Sequence, residues 1–496
     1  MADMILIRGG RIYDGSGSAA FDADVLIEGD RIKDVGPAVV PEKAAGDPGI
    51  EEIDASGKIV CPGFIDMHAH SDFKIAVDGS MAPKLRQGVT SVVMGSCGFS
   101  AAPVNDLMRR DYRRFLTGMF GDECAFEWST LSGYLNRIRK QGTGTNVYPQ
   151  VGMGNLRSMV MGVRPSKANE WHIKKMKMLL EQSLEEGARG FSTGLVYPMQ
   201  LFASHHEVME LCRVAARHGA LYSTHIRNEM DRSFDANCEA VQFARETGVS
   251  VQISHQKAVK QSNWGAPKRS LEMMEQAREQ GIDVETDAYP YDSFSNIFLL
   301  TVVINEPGRE EKIIFIDLKN LPQYEGKTLA DVMRDTGKSA LAASLYILKE
   351  EGLTKVPIAG RFICEDDLRY ILAHPLVSIG SDGVEPQTGK KSHPRLYSTT
   401  ARFLKKYVIE EKIVPMEEAI RKMTSMPARK AGIEKRGLLE AGNFADVVVF
   451  DPAGLKDNAT YSDPMVHPDG FDAVIVNGRT AVRNDELLDV RAGVVL

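Results

Sequence analysis

The sequence predicts an α/β protein: a (β/α)8 TIM barrel, a small β-sandwich domain built from both chain ends, and an insertion between barrel strands seven and eight. Three observations support this fold class. Eight strand-like segments alternate with helix-like segments over residues 59–430, as in a barrel of parallel strands. Short strand patterns occur at both chain ends. About ninety residues separate the last two strand-like segments of the middle, far more than one connecting helix needs.

The two chain ends carry similar strand patterns, in 1–58 and in 431–496. Segments 5–9, 23–28 and 31–35 alternate or cluster apolar residues like short strands, with glycine turns at 9–10 and 29–30. Near the other end, ADVVVFD and AVIVN read the same way, and Asn477-Gly478 is a strong hairpin signal. Each end alone has too few strands for a core of its own. We therefore expect the ends to pack together as one sandwich, with the barrel inserted between them.

The middle of the chain supplies the eight barrel strands. The candidates cover 59–70, 91–97, 146–152, 188–194, 220–225, 249–255, 282–289 and 377–382. Helical patterns lie between them, for example at 204–218, where Ser204 and Glu207 form a capping-box pattern. Residues 292–356 are predicted to form a lid-like insertion over the barrel mouth.

Composition excludes several classes of protein. The 60 Lys and Arg against 67 Asp and Glu give a net charge of −7, which argues against a nucleic-acid partner. The sequence contains no run of 18 apolar residues, so no membrane span is predicted. The apolar stretch at 4–7 is too short for a signal peptide. The six cysteines are scattered and form no C-x-x-C pair. We expect a cytoplasmic protein without a disulfide framework.

Six polar residues lie where a barrel builds its active site. Two are His68 and His70, which share one face of the first strand, and the others come at the ends of strands two, five, six and eight: Cys97, His225, His255 and Asp382. Left unpartnered, such buried groups would each cost about 1–3 kcal/mol. A bound metal removes that cost, and nitrogen, sulfur and oxygen donors in this mixture favour Zn²⁺.

Motifs along nearly the whole chain carry a family resemblance. In order they are GFIDMHAHSD, GSCGFS, FSTGLVYPM, THIRNE, ISHQKA, DAYPYDS, IGSDG, HPRLYS and KMTSMPARKAGIEKRGLLEAGNFADVVVFDP. The chain resembles the N-acyl-D-amino-acid deacylases (D-aminoacylases) of the metal-dependent amidohydrolase superfamily. The cysteine of GSCG is the most specific element. Strand four, at 188–194, has no lysine, whereas hydantoinases and dihydroorotases carry a carboxylated lysine there.

The resemblance implies zinc-dependent hydrolysis of N-acyl-D-amino acids to a carboxylate and a free D-amino acid. It implies one tightly bound Zn²⁺ at Cys97, His225 and His255, and a second, weaker site at His68, His70 and Asp382. Asp382 would also act as the proton shuttle for a metal-activated hydroxide. The implied partner is a small N-acyl amino acid, with no nucleic acid and no membrane, and the oligomeric state is open.

Residues for substrate binding follow from the need to hold an α-carboxylate with a cation and hydroxyl donors. The resemblance assigns this task to Lys257, Tyr197 and Tyr289. Arg227 either joins them or forms a structural ion pair with Glu229 or Asp287. His393 and Arg395, after strand eight, either contact substrate or order their loop. A deacylase specific for D-Asp or D-Glu would need one further cation, for which Lys390, Lys391 and Arg395 are available.

Two other functions stay open at this point. One is a cyclic amide or imide hydrolase like the dihydroorotases and hydantoinases, which the missing lysine of strand four disfavours. The other is a non-catalytic, amidohydrolase-like assembly protein, which would have lost metal ligands that are all present here. The departures of Met153, Met230 and Gln256 from residues common in the deacylases leave the preferred side chain and acyl group undecided.

Overall fold

The computed structural model describes residues 4–39, 49–301, 304, 306–353, 355–386 and 389–496. Eight parallel strands form the central barrel, and each pairs with the next one in chain order. We number them β1 to β8: Phe64–Asp66, Val89–Met94, Asn146–Gly152, Gly190–Gly194, Leu221–His225, Ser250–Ile253, Val284–Ala288 and Val377–Ile379. The barrel fold predicted from the sequence is confirmed.

The ring closes between its first and last strands. Two short extensions, Ala69–His70 after β1 and Gly383–Val384 after β8, pair in parallel. The amide of Asp382 also donates a hydrogen bond of 2.8 Å to the carbonyl of His68. Closure therefore brings the residues that follow β1 and β8 together at the carboxyl end of the barrel.

Helices surround the barrel and begin where the sequence provides caps. Ser204 accepts from the amide of Glu207, whose carboxylate returns to the Ser204 amide, so the predicted capping box starts helix His205–Arg217. The α-helices up to β8 outside the insertion are Ala82–Leu85, Asp106–Phe115, Thr117–Phe120, Leu131–Gln141, Met153–Met161, Glu170–Glu185, His205–Arg217, Ser233–Thr247, Ala266–Glu279 and Glu365–Ala373. After β8 follow Arg395–Arg402, the π-helix Phe403–Glu410, Met416–Met423 and Ser425–Ala431. None of the helices in these described ranges has the length and apolar character needed to cross a membrane.

The chain ends build one nine-stranded mixed sheet. Its strands are Met4–Ile12, Phe21–Glu28, Arg31–Gly36, Ile50–Asp54, Ile59–Pro62, Val447–Phe450, Phe471–Val476, Arg479–Arg483 and Glu486–Leu487. Alternate residues from both ends, such as Ile5, Val25, Val447 and Ile475, share one buried apolar cluster. Neither end buries this core without the other.

Strand Ile59–Pro62 corrects the predicted start of the barrel. It pairs with Val447–Phe450 and with Met4–Ile12, so it belongs to the end sheet, and the barrel begins only at Phe64. The run from 59 to 70 is continuously apolar up to Asp66, so its periodicity gives no sign of the break. The break falls at Pro62 and Gly63, where proline supplies no amide donor and a side chain on Gly63 would overlap Thr90.

Between β7 and β8 the chain forms a separate layer on the barrel. Its antiparallel sheet comprises Phe294–Ile297, Ile313–Phe315 and Pro357–Gly360. The accompanying helices are Phe298–Thr301, Arg309–Lys312, Pro322–Tyr324, Leu329–Thr336 and Ala340–Glu351, of which the first and third are 3-10 helices. The layer has its own apolar core, which includes Phe298, Phe315 and Ile347. Residues 302, 303, 305 and 354 of the predicted insertion lie outside the described residues.

Candidate metal centre and active site

A buried thiol lies at the centre of the barrel mouth, surrounded by imidazoles. The Sγ atom of Cys97 is 3.3 Å from His68 Nε2, 3.5 Å from His255 Nε2 and 3.8 Å from His225 Nδ1. All four side chains are buried. Because the three nitrogens converge on one sulfur, they form a preorganised set of soft and borderline donors.

A second group of donors shares the same thiol. His70 Nε2 lies 3.1 Å and His68 Nε2 lies 3.5 Å from Asp382 Oδ1. The ligand atoms of His68, His70, Cys97 and Asp382 all lie within 4.8 Å of one another, as do those of Cys97, His225 and His255. The structure thus brings together all six residues that the sequence singled out, and their role as ligands stays a prediction.

The spacing of the donors suits zinc. Tetrahedral Zn²⁺ with Zn–S near 2.3 Å and Zn–N near 2.0–2.1 Å places its sulfur and nitrogen ligands about 3.6 Å apart. The distances from Cys97 Sγ to His255 Nε2 and His225 Nδ1, 3.5 and 3.8 Å, lie on either side of that value. Burial raises the pKa of the Cys97 thiol, but the neighbouring His68 and His255 hold it well below its usual range. The donor set therefore fits a zinc ion bound through a thiolate.

Three of these residues lie in strained turns beyond the strands, rather than in the strand ends where the sequence placed them. Cys97, His255 and Asp382 follow the last residues of β2, β6 and β8, with φ angles of 53°, 39° and 49°. Non-glycine residues in the left-handed region cost roughly 1–3 kcal/mol each, and such strain is concentrated at functional sites. The turns direct the three side chains to one point.

Two carboxylates orient the imidazoles from outside. Glu229 Oε1 lies 3.0 Å from His255 Nδ1, and Glu229 Oε2 lies 3.6 Å from His225 Nε2. Asp287 Oδ1 lies 3.2 Å from His68 Nδ1. A carboxylate on the outer nitrogen fixes the ring and makes the inner nitrogen a better ligand. Sequence reasoning missed both roles, although Glu229 follows His225 by one helical turn's spacing and Asp287 lies in β7.

Asp382 is held ionised beside the donors. Arg395 Nη1 lies 2.9 Å from Asp382 Oδ2, and both side chains are buried. Burial raises the pKa of the Asp382 carboxyl, but the charges of Arg395, His255 and His68 hold it well below its usual range. Arg395, one of the predicted substrate contacts, is therefore also the ion-pair partner of this carboxylate.

Behind Asp382 lies a fully buried ion pair that the sequence did not reveal. Lys84 Nζ donates hydrogen bonds of 2.8 Å to Asp66 Oδ2 and to Ser381 Oγ. Asp66 Oδ1 in turn accepts from the amides of Ser381 and His68. Strand alternation predicts that Asp66 points to the same face as His68. In the structure the Asp66 carboxylate pairs with Lys84 instead of joining the metal ligands. This network fixes the turn that presents Asp382.

Lys84→Met is expected to lower the free energy of unfolding by about 3–5 kcal/mol, because it leaves the buried Asp66 carboxylate without its cation. Urea unfolding followed by circular dichroism measures this loss. Lys140→Met, at an exposed position in the helix Leu131–Gln141, is the matched control and should change stability little. A loss below about 1 kcal/mol for Lys84→Met would show that the pair contributes nothing to stability.

A cavity of about 390 Å³ opens directly on the cluster. It is lined by four of the predicted ligands, His70, His225, His255 and Asp382, and by four of the predicted substrate contacts, Tyr197, Arg227, Lys257 and Arg395. Part of its wall comes from the layer between β7 and β8, through Phe294–Ile297 and Phe298–Thr301. The cavity is large enough for a substrate of amino-acid size.

The predicted carboxylate contacts lie beside this cavity. Lys257 Nζ is 2.5 Å from Glu229 Oε1 and 2.9 Å from His255 Nδ1. Tyr289 lies under Lys257, whose Nζ is 5.7 Å from the ring centre, and its buried hydroxyl has no hydrogen-bond partner among the described residues. Burial raises the pKa of Tyr289 to about 12, so the hydroxyl is a donor.

Two predicted contacts have other partners. Arg227 forms a two-point ion pair of 2.9 and 3.1 Å with Glu239, and not with Glu229 or Asp287, the two partners offered as the alternative to substrate binding. Glu239 lies on the following helix, Ser233–Thr247, which faces Arg227 across the turn after β5. His393 is hydrogen-bonded to Ser293 Oγ at 2.7 Å and to the Arg395 amide at 3.1 Å, and it lines a neighbouring cavity. These contacts support the loop-ordering role offered for His393, and a substrate contact stays a prediction.

Comparison with known proteins assigns the family. The model of the amidohydrolase family matches residues 51–482. The chain is 34% identical to a D-aminoacylase of Alcaligenes xylosoxydans xylosoxydans over 99% of its own length and 97% of the relative's.

The chain belongs to the amidohydrolase family.

Two further relatives within the family are also similar to this chain over nearly its full length. An N-acyl-D-aspartate deacylase of the same organism is 33% identical over 100% of this chain and 95% of the relative. The crystal structure of an N-acyl-D-glutamate deacylase from Bordetella bronchiseptica, complexed with zinc and a phosphonate inhibitor that mimics the tetrahedral intermediate, superposes with a TM-score of 0.87. That match has 33% identity and covers all of both chains. The resemblance to N-acyl-D-amino-acid deacylases stated from the sequence is confirmed.

Proposed function

We propose that this amidohydrolase is a zinc-dependent N-acyl-D-amino-acid deacylase, which releases a carboxylate and a free D-amino acid. The observation that carries the proposal is Cys97 Sγ between two imidazoles at zinc-ligand spacing, with the ionised Asp382 at the same cavity. The full-length relatives named as D-aminoacylase and N-acyl-D-glutamate deacylase support it. The cyclic-amide alternative has less support, since β4 carries no lysine.

The ligands divide into two sets that share one atom. We assign the tight zinc to Cys97, His225 and His255, because Glu229 supports both imidazoles from outside. A second, weaker ion would lie between His68, His70 and Asp382, next to the same sulfur. Bound zinc supplies a Lewis acid that polarises the amide carbonyl and lowers the pKa of water.

The chain's own residues move the proton. Asp382 accepts a proton from the attacking water as its oxygen bonds to the carbonyl carbon. The same carboxyl then delivers that proton to the amide nitrogen as the carbon–nitrogen bond breaks, so that a neutral amine departs. Arg395 keeps Asp382 ionised between turnovers, and His70 holds Oδ1 in place. One carboxylate thus serves as base and then as acid.

The α-carboxylate of the substrate is assigned to Lys257, Tyr289 and Tyr197. Lys257 is buried and charged, since burial lowers the pKa of its ammonium but Glu229 and Tyr289 raise it above its usual value. Its ammonium donates to Glu229 Oε1 and to the carbonyl oxygen of His255, which leaves one N–H for a ligand. The unpartnered hydroxyl of Tyr289 supplies a second donor.

Strong selectivity for one enantiomer follows from these two attachments. With the carbonyl and the α-carboxylate both fixed, inverting the α-carbon exchanges the side chain with the hydrogen. A clash or a lost contact of about 3–4 kcal/mol gives a preference of roughly a hundredfold to a thousandfold. Purified zinc-loaded protein should show this ratio in kcat/KM between N-acetyl-D-leucine and N-acetyl-L-leucine.

Lys257→Met tests the carboxylate contact in the same assay and should lower kcat/KM for the D substrate by about ten- to a hundredfold. Equal rates for the two enantiomers in the wild type would exclude the two-point attachment. An L preference would exclude the proposed substrate class. An unchanged rate for Lys257→Met would assign the contact to Arg227 or Arg395.

The cytoplasm is the proposed location. All six cysteines are free, and four of them are buried. Free thiols persist in a reducing compartment. Fractionation of the native cells with an antibody to this chain tests the assignment.

A further inference from the structure

We propose that the preferred substrates carry an uncharged, apolar side chain on the D-amino acid, and not a second carboxylate. The inference rests on the proposed function and extends it to the substrate side chain. Relatives named for D-aspartate and for D-glutamate are as similar to this chain as the general D-aminoacylase, so family membership alone leaves the side chain undecided. The cavity itself decides between them.

A dicarboxylate substrate needs two cationic contacts in the cavity. The first holds the α-carboxylate, and the second must compensate the side-chain carboxylate, because an unpaired charge in a buried site is costly. Three cations line the cavity among the described residues: Arg227, Lys257 and Arg395. A dicarboxylate substrate would need one of them to be free to bind its side-chain carboxylate, in addition to the one that holds the α-carboxylate.

Each of the three cations already has a protein carboxylate. Arg227 is paired in two-point fashion with Glu239, and Arg395 Nη1 lies 2.9 Å from Asp382. Lys257 is 2.5 Å from Glu229 and is assigned to the α-carboxylate. Releasing Arg227 would leave Glu239 uncompensated, and releasing Arg395 would disturb the proton shuttle. Arg395 keeps unpartnered N–H groups, but it lies 4.6 Å from the centre of the Tyr289 ring that Lys257 also contacts, so we assign those groups to the same α-carboxylate position. In the described part of the chain, no third cation without a carboxylate partner lines the cavity for a side-chain carboxylate.

The lysines that the sequence offered for this purpose lie elsewhere. Lys390 and Lys391 line the neighbouring cavity, and neither lines the cavity on the metal cluster. Lys390 Nζ is 2.9 Å from Asp317, and Lys391 Nζ is 2.8 Å from Glu325. Their charges therefore hold the loop after β8 against the layer between β7 and β8.

The remaining wall of the cavity is apolar or neutral. Aliphatic and thioether side chains come from the loops after β4, β5 and β6 and from the helix Phe298–Thr301: Val196, Leu201, Met230, Val259, Leu299 and Leu300. The polar groups beside them, Asn228, Ser295, Asn296 and Thr301, carry no charge. Apart from the paired charges already named, this surface is the part of the cavity open to a substrate side chain, and it favours leucine, methionine or similar groups by burial of apolar area.

The test is a substrate panel with one acyl group and wild-type, zinc-loaded protein. We expect kcat/KM for N-acetyl-D-leucine and N-acetyl-D-methionine to exceed that for N-acetyl-D-glutamate and N-acetyl-D-aspartate by at least about a hundredfold, as expected for an uncompensated buried charge. N-acetyl-D-glutamine is the matched control, since it has the shape of the glutamate substrate without its charge, and it should be hydrolysed at least about tenfold faster than the glutamate.

The outcomes separate the two proposals. A D-glutamate or D-aspartate rate within a few-fold of the D-leucine rate overturns the apolar preference and leaves the deacylase assignment intact. Equal rates for D-glutamine and D-glutamate also overturn it, because charge then makes no difference. If no N-acetyl-D-amino acid in the panel is hydrolysed while metal analysis shows full zinc, the proposed function itself fails.

Discussion

Cys97→Ala is expected to strip the tight zinc and to lower kcat by at least about 10³-fold. The thiolate belongs to both groups of ligands, so its loss leaves His225 and His255 with no third protein donor and weakens the second site as well. Catalytic zinc sites need three protein ligands to hold the ion. Elemental analysis after dialysis against a weak chelator, together with steady-state rates on an N-acetyl-D-amino acid, measures both effects.

Cys212→Ala is the matched control for this prediction. Cys212 is fully buried like Cys97 but lies in the helix His205–Arg217, away from the cluster. It should retain about one zinc per chain and nearly full activity, with only a loss of stability. Full zinc and normal turnover in Cys97→Ala would show that this thiol is a packing residue and that the assigned metal centre is wrong.

Asp382→Asn is expected to separate proton transfer from metal binding. The amide keeps the size of the side chain and leaves Cys97, His225 and His255 untouched, so the tight zinc should stay. An amide cannot accept the proton of water, and general acid–base catalysis contributes about 10²–10⁴-fold. We expect kcat to fall by that factor while zinc content remains near one per chain.

Glu385→Gln is the control, since Glu385 is also a buried carboxyl after β8 but lines a different cavity. It should leave kcat within a few-fold of the wild-type value. Activity of Asp382→Asn close to wild type would assign the proton shuttle to another residue. Loss of all zinc from the same variant would show that Asp382 is a ligand of the tight ion.

The barrel and the metal cluster were predictable because both depend on positions that the sequence displays. Strands and helices alternate at regular intervals, and the residues at strand ends meet at one face of any closed barrel. His68, His70, Cys97, His225, His255 and Asp382 converge for that reason. That both chain ends pack together was foreseeable from the shortage of strands at each end. The sequence predicts a sandwich there, whereas the strands pair as one nine-stranded sheet.

The partners of these residues were not predictable, because they depend on tertiary contacts between distant segments. Lys84 meets Asp66 only once the helix Ala82–Leu85 has packed against β2 and the helix Arg395–Arg402. Arg227 pairs with Glu239 and not with Glu229 or Asp287, because the helix that carries Glu239 packs beside it. Sequence spacing alone does not show this packing. Similarly, the break between the end sheet and β1 at Gly63 leaves no trace in the hydrophobic pattern.

The end sheet can be completed only late in the synthesis of the protein. Strand Ile59–Pro62 pairs with Val447–Phe450, and roughly 385 residues must be translated between them. At about 5–20 residues per second this takes about 20–80 s. Throughout that interval one edge of the amino-terminal strands and the apolar face of Ile5, Val25 and Ile53 have no partner from the other chain end. During synthesis the emerging chain therefore exposes an unpaired strand edge, which can pair with other chains until its own carboxyl-terminal strands cover it.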